Sequence, residues 1–98
     1  MHWEFTTAAE TEFLEAIEWY DSVRWGLGEE FSEEVHSVIN VICTFPDLWS
    51  FLRKPVRRAL LHRFPYGVLY HFDENGTILI LAVMHLHRKP DYWIIASV

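Results

Sequence analysis

Apolar and polar positions follow two rhythms along the chain, helical in the first half and period-two in the second. Phe13, Ala16, Ile17, Tyr20 and Val23 recur at helical spacing, and Glu12, Glu15 and Glu18 take the other side. Ahead of them, Thr7-Ala8-Ala9-Glu10 has the capping-box spacing, in which hydroxyl and carboxylate satisfy reciprocal orphan amides. Gly26-Leu27-Gly28 breaks this helix. A second stripe, Phe31, Val35, Val38, Ile39 and Ile42, follows Glu29 and Glu30, whose carboxylates suit a helix N-terminus. Pro46 ends it. The break is short, so the two helices are expected to return antiparallel.

The period changes at Val56. Val56 to Phe64 is rich in branched and aromatic residues but studded with Arg, as a strand with one wet face would be. Pro65, which cannot donate to a ladder, closes it. Tyr66, Val68, Tyr70 and Phe72 then alternate with Gly67, Leu69 and His71. Asn75-Gly76 predicts a type I′ hairpin, and Thr77 to Met84, apolar on both faces, reads as a strand inside a sheet. His2 to Phe5 is a short extended candidate that would add to this meander. Asp47 to Pro55 reads as a loop anchored by Leu48, Trp49, Phe51 and Leu52. The order strand–helix–helix–strand–strand–strand predicts an α+β fold, with a helical hairpin covering one face of a small antiparallel sheet.

Ninety-eight residues, half of them apolar, imply one domain over 1–98 with a modest core. No run approaches the ~20 apolar residues that span a bilayer. One cysteine excludes an internal disulfide and fits a reducing cytoplasm, where the chain is expected to reside. The net charge of −6 conceals an asymmetry. Residues 1–34 carry ten acidic side chains against Arg24 alone, while residues 35–98 carry four acidic and seven basic. Arg53, Lys54, Arg57, Arg58 and Arg63 lie together with no acid among them, a cationic stretch suited to phosphate or to an acidic partner segment.

Other chemistry is sparse. His85-x-His87 ends the last strand of the meander, where both rings are expected on one face and suit general acid–base work. A zinc site with His62 or His71 is not expected, because no further ligand stands at a recognised spacing. Tyr66, Tyr70, Tyr92 and Trp93 fit base stacking, core packing or a C-terminal anchor. Cys43 reads as a buried small hydrophobe. There is no phosphate loop, nucleophile elbow or cofactor motif, so no cofactor is expected.

Val56-Arg57-Arg58, Arg63-Phe64-Pro65-Tyr66-x-Val68-x-Tyr70 and His85-x-x-Arg88-x-Pro90-x-Tyr92-Trp93 resemble the RelE/ParE superfamily of bacterial type II toxin–antitoxin toxins. Glu15-Ala16-x-x-Trp19-Tyr20 and Gly26-Leu27-Gly28-Glu29-x-Phe31 extend the resemblance upstream, and it is closest to the ParE-like, plasmid-stabilisation branch. It implies the same fold and a toxin neutralised by a cognate antitoxin in a hetero-oligomer. Arg53, Lys54, Arg57, Arg58, Arg63, Tyr92 and Trp93 are the expected partner-binding residues, and no membrane is implied. ParE-like members inhibit DNA gyrase, and RelE-like members cleave mRNA on the ribosome. In the ribonuclease members an arginine is often found about where this chain has Gly67, and another near Met84. Their absence favours the ParE-like alternative, because phosphoryl transfer depends on such cations. Were the chain a nuclease, Arg63, His85, His87 and Arg88 would carry the chemistry. A third alternative is an inactive relative that binds its antitoxin and co-regulates their operon.

Overall fold

The computed structural model describes residues 1–88 and Trp93. Its elements are β1 (Trp3–Phe5), α1 (Thr7–Val23), α2 (Leu27–Thr44), β2 (Phe51–Arg53), β3 (Val56–Leu60), β4 (Tyr66–Phe72) and β5 (Ile78–His85). The sheet order is β1-β5-β4-β3-β2. β3, β4 and β5 form the expected antiparallel meander, and β1 joins parallel to β5, which makes the sheet mixed. β2 was not expected. Phe51–Arg53 lies within the stretch read as a loop and pairs with β3 across an irregular register, too short to leave a periodic signal.

β5 is apolar on both faces because it changes parity. Its register against β4 slips between Leu69 and Tyr70, which places an extra residue at Leu81. Ile78, Ile80 and Val83 thereby all join the core beneath the helices, which strict alternation would forbid. Leu81, Ala82 and Met84 join Val56, Leu69 and Trp93 on the opposite face. Each large apolar side chain fully buried this way contributes ~1.5–3 kcal/mol.

The helical hairpin covers the first face through Ala9, Phe13, Ala16 and Tyr20 of α1 and Phe31, Val35, Val38, Ile39 and Ile42 of α2. Tyr20, Phe31, Phe64 and Tyr66 interlock there, ring centroids 4.9–6.1 Å apart. Val23, placed on the stripe by its spacing, is exposed instead, because α1 ends there, beyond its buried residues.

Three local expectations need correction. The cap of α1 is Thr6, whose Oγ1 accepts from Ala9 N at 3.2 Å, so the Thr7–Glu10 box does not form. Thr6 still has extended backbone and its amide donates to the Ile80 carbonyl, so the strand's end and the helix's cap are one residue. β3 stops at Leu60 rather than Phe64, since Leu61 to Pro65 turn toward α2. The β4–β5 turn is not type I′, because only Gly76 takes positive φ. The Asp73 carboxylate stabilises it by accepting from Asn75 N and Thr77 N.

The hairpin itself depends on Gly28. Its amide donates to Asp21 Oδ1 at 2.8 Å, and a Cβ there would strike the Ile17 carbonyl oxygen and lie 2.7 Å from Asp21 Cγ. Because a backbone atom cannot swing aside, Gly28→Ala is expected to destabilise the fold by about 1–3 kcal/mol, the usual range for overpacking. Urea denaturation measures it, and an unchanged midpoint would contradict this packing.

Candidate functional site

The basic stretch divides across the sheet. Arg57 lies on the helix side, where Nη1 donates to the Trp49 carbonyl at 2.6 Å and Nη2 lies 3.4 Å from Asp47 Oδ1. Its guanidinium stacks 3.9 Å from the Phe51 ring, leaving the side chain 19% exposed. It ties the β2 loop down, and is not the open cation that its sequence context suggested. Lys54 lies 5.3 Å from the same ring. Arg53 is exposed on β2. Arg58, one residue further along β3, turns to the other face. There its Cγ lies 3.0 Å from where a Cβ on Gly67 would sit, so the glycine gives the arginine stem its path.

Arg63 sits apart from both. Its guanidinium meets Glu30 at 2.9 Å, and Arg24 meets the same carboxylate at 3.1 Å. The Glu34 carboxylate accepts from the His62 and Arg63 amides at the end of β3. These bonds hold the Glu30 carboxyl below its ordinary value, Arg63 first and Arg24 second. Tyr70, on the same side of the sheet, donates to the Pro46 carbonyl at 2.6 Å, and burial pushes its hydroxyl up to about 12.

His85 and His87 do come together, with rings 5.3 Å apart, and the His87 amide lies 3.1 Å from His85 Nδ1. Nδ1 accepts in that bond, which leaves Nε2 to carry the proton of the neutral ring. His85 packs edge-on against Tyr66, 5.1 Å between centroids, and so serves the helix side. It lines a cavity of about 270 Å³ with Glu12, Glu15, Trp19, Tyr66 and Arg88. Burial also raises Tyr66, which remains a neutral phenol. Thus His85 and Arg88 meet, while Arg63 stands with α2. His71 faces Leu79 near the other end of the β4–β5 ladder, six positions from His85. Among the described residues no group of three His, Cys, Asp or Glu side chains could hold a metal ion. Tyr92 lies outside the described residues.

The opposite sheet face is apolar. Gly67 and Met84 are a cross-strand pair, and Met84 lies in the buried cluster with Leu69, Leu81 and Trp93. Trp93 packs into this face and is buried in the free chain.

Glu12 escaped the sequence reading as part of a solvated stripe. Its Oε1 accepts from Val83 N at 3.1 Å, on the β5 edge just past the end of β1. The signal was present: Glu12 is three residues from buried Ala9 and four from buried Ala16, on the margin of the apolar stripe.

Residues 3–90 match the model of the family described as ParE toxin of type II toxin-antitoxin system, parDE. Among solved structures, a chain described as "Chromosomal ParDE TA system from P. aeruginosa" is similar, with a TM-score of 0.76 at 13% identity. The likeness covers 89% of this chain and 97% of that one, and at this identity it concerns the fold. No curated protein matches the chain.

The Glu30 linkage has a definite sign. Its folded carboxyl lies below the ordinary value of 4.5, so the stability it contributes is present above that value and is lost as pH falls through the folded one. The wild type should therefore lose more stability than Glu30→Gln as the pH drops below about 4.5. Melting temperature against pH for both proteins measures this, and parallel curves would refute the clamp.

Proposed function

The chain belongs to the ParE toxin family of type II toxin–antitoxin systems, and from that membership we propose that it arrests growth through DNA gyrase or an equivalent replication enzyme. Its activity is held in check by a cognate antitoxin in a hetero-oligomeric complex. No helix among the described residues is long and apolar enough to cross a membrane, and the proposed site of action is the cytoplasm.

One observation carries the choice of target. Among the described residues, the sheet face opposite the helices carries a buried apolar cluster, formed by Val56, Leu69, Leu81, Met84 and Trp93, and no cluster of cations. Cleavage through a ribose 2′-hydroxyl needs a base, an acid for the leaving oxygen and cations for the crowded phosphate. Gly67 and Met84, a cross-strand pair, supply neither charge nor proton about where the resemblance implies that ribonuclease members often carry arginines. The remaining candidates do not substitute as a unit. His85 and Arg88 share a cavity on the helix side, and Arg63 is paired with Glu30. Glu12 and Glu15 in the wall of that cavity oppose the approach of a phosphate.

Induction in growing cells, following message integrity and chromosome supercoiling together, tests the proposal. The expected result is growth arrest with intact messages, DNA-damage induction and filamentation. Rapid codon-periodic cleavage of translated messages would overturn it in favour of the ribonuclease alternative. Unimpeded growth would place the chain with the inactive antitoxin-binding relatives.

A further inference from the structure

The chain carries two side-chain amides, Asn40 and Asn75, and no glutamine. They stand in opposite backbone settings. Asn40 lies inside α2, where the next amide, that of branched Val41, belongs to the helix and is held in its ladder. Asn75 lies at the exposed tip of the β4–β5 hairpin and is followed by Gly76, also exposed, with a φ of 78°. Nothing stands within 4 Å of where a Cβ on Gly76 would sit. The amide after Asn75 therefore has neither a side chain of its own nor a neighbour to shield it.

Asp73 closes this turn from both its backbone and its side chain. Its amide donates to the Thr77 carbonyl at 2.9 Å, and its carbonyl accepts from the Gly76 amide at 3.1 Å. Its Oδ1 accepts from the Asn75 amide at 2.8 Å and from the Thr77 amide at 2.9 Å. While these bonds hold, the Gly76 nitrogen is engaged with Asp73. An exposed turn of this kind opens locally far more often than the sheet unfolds. Once it opens, the Gly76 nitrogen reaches Asn75 Cγ by closing a five-membered ring.

We propose that Asn75-Gly76 is a site of self-modification, a spontaneous deamidation whose rate is set by the Asp73 clamp. In the opened turn the Gly76 nitrogen loses its proton to solvent and attacks Asn75 Cγ. The new N–Cγ bond closes a succinimide. The Cγ–Nδ2 bond breaks, and Nδ2 gains a proton from water and leaves as ammonia. Water then opens the ring. Cleavage of the new bond gives aspartate, and cleavage at the original peptide carbonyl gives isoaspartate, with the main chain rerouted through Cγ. Either product adds one negative charge to the net −6. Isoaspartate also inserts a methylene into the main chain, so Asp73 can no longer meet both Gly76 and Thr77 in the present register. Both strands that the turn joins lie inside the sheet, so an aged molecule is less stable than a new one.

The test follows the intact mass of the full chain during incubation in warm, mildly alkaline buffer. Wild type should gain the mass that exchange of an amide for a carboxylate adds, at a rate proportional to hydroxide concentration. Fragmentation should map both products to position 75. Asn75→Gln should keep its mass over the same period, because its ring closure is six-membered and slower. Asp73→Ala, which removes the bonds to the Asn75 and Thr77 amides, should convert at least ~3-fold faster than wild type. Aged wild type should melt below fresh protein, and aged Asn75→Gln should not. A wild-type mass as constant as that of Asn75→Gln would overturn the site, and so would a gain mapped to Asn40. Conversion of Asp73→Ala at the wild-type rate would overturn the clamp.

Discussion

A strand apolar on both faces cannot stand at a surface, and β5 imposes that condition on the whole molecule. Its helix-side residues require a lid, which the α1–α2 hairpin supplies. Its other face requires a second layer, which is where Trp93 meets Leu81 and Met84. Its backbone requires partners on both edges. β4 provides one side, and β1 covers the other only as far as Ile80. Beyond that, Thr6 and Glu12 of the entering helix supply the bonds to Leu81 and Val83. An unpaired amide there would forfeit most of a hydrogen bond's worth of stability, so the acidic side chain is structural before it is anything else.

The charge asymmetry along the chain acquires the same kind of explanation. An acidic first third and a basic middle suggest two oppositely charged surfaces, one for each kind of partner. In the folded protein part of that charge is engaged internally. Glu30 gathers Arg24 and Arg63, Glu34 caps the end of β3, and Arg57 is held by the loop before β2. These exposed pairs are individually weak. Their larger effect is on recognition, since the cations left to meet a partner are far fewer than the sequence displays.

The elements that set the architecture were legible because they carry periodic signals over many residues: two amphipathic stripes and a meander with a turn between its last strands. What was illegible depended on single residues or on distant contacts. β2 is three residues long. Whether Thr6 or Thr7 caps α1 depends on where β1 lets go of β5, and a local capping pattern does not contain that. The partition of Arg57, Arg58 and Arg63 among three environments depends on strand parity and on acids up to thirty-three positions away. His85 and His87 were found as a pair, but the face they serve could not be read, since no sequence pattern announced the register slip at Leu81.

That slip gives the residue count in β5 a role separate from residue identity. With the extra residue at Leu81, Val83 and His85 lie beneath the helical hairpin, and Met84 lies on the opposite face. A strand without that extra residue would keep the same partners, with Val83 still opposite Val68 and His85 still opposite Tyr66 on the helix side. The bulge therefore takes up one residue locally: it adds Leu81 to the far-face cluster and leaves the imidazole on its own surface. Within this fold, a one-residue change at this point of β5 alters the apolar cover of the far face while the groups further along the strand keep their places.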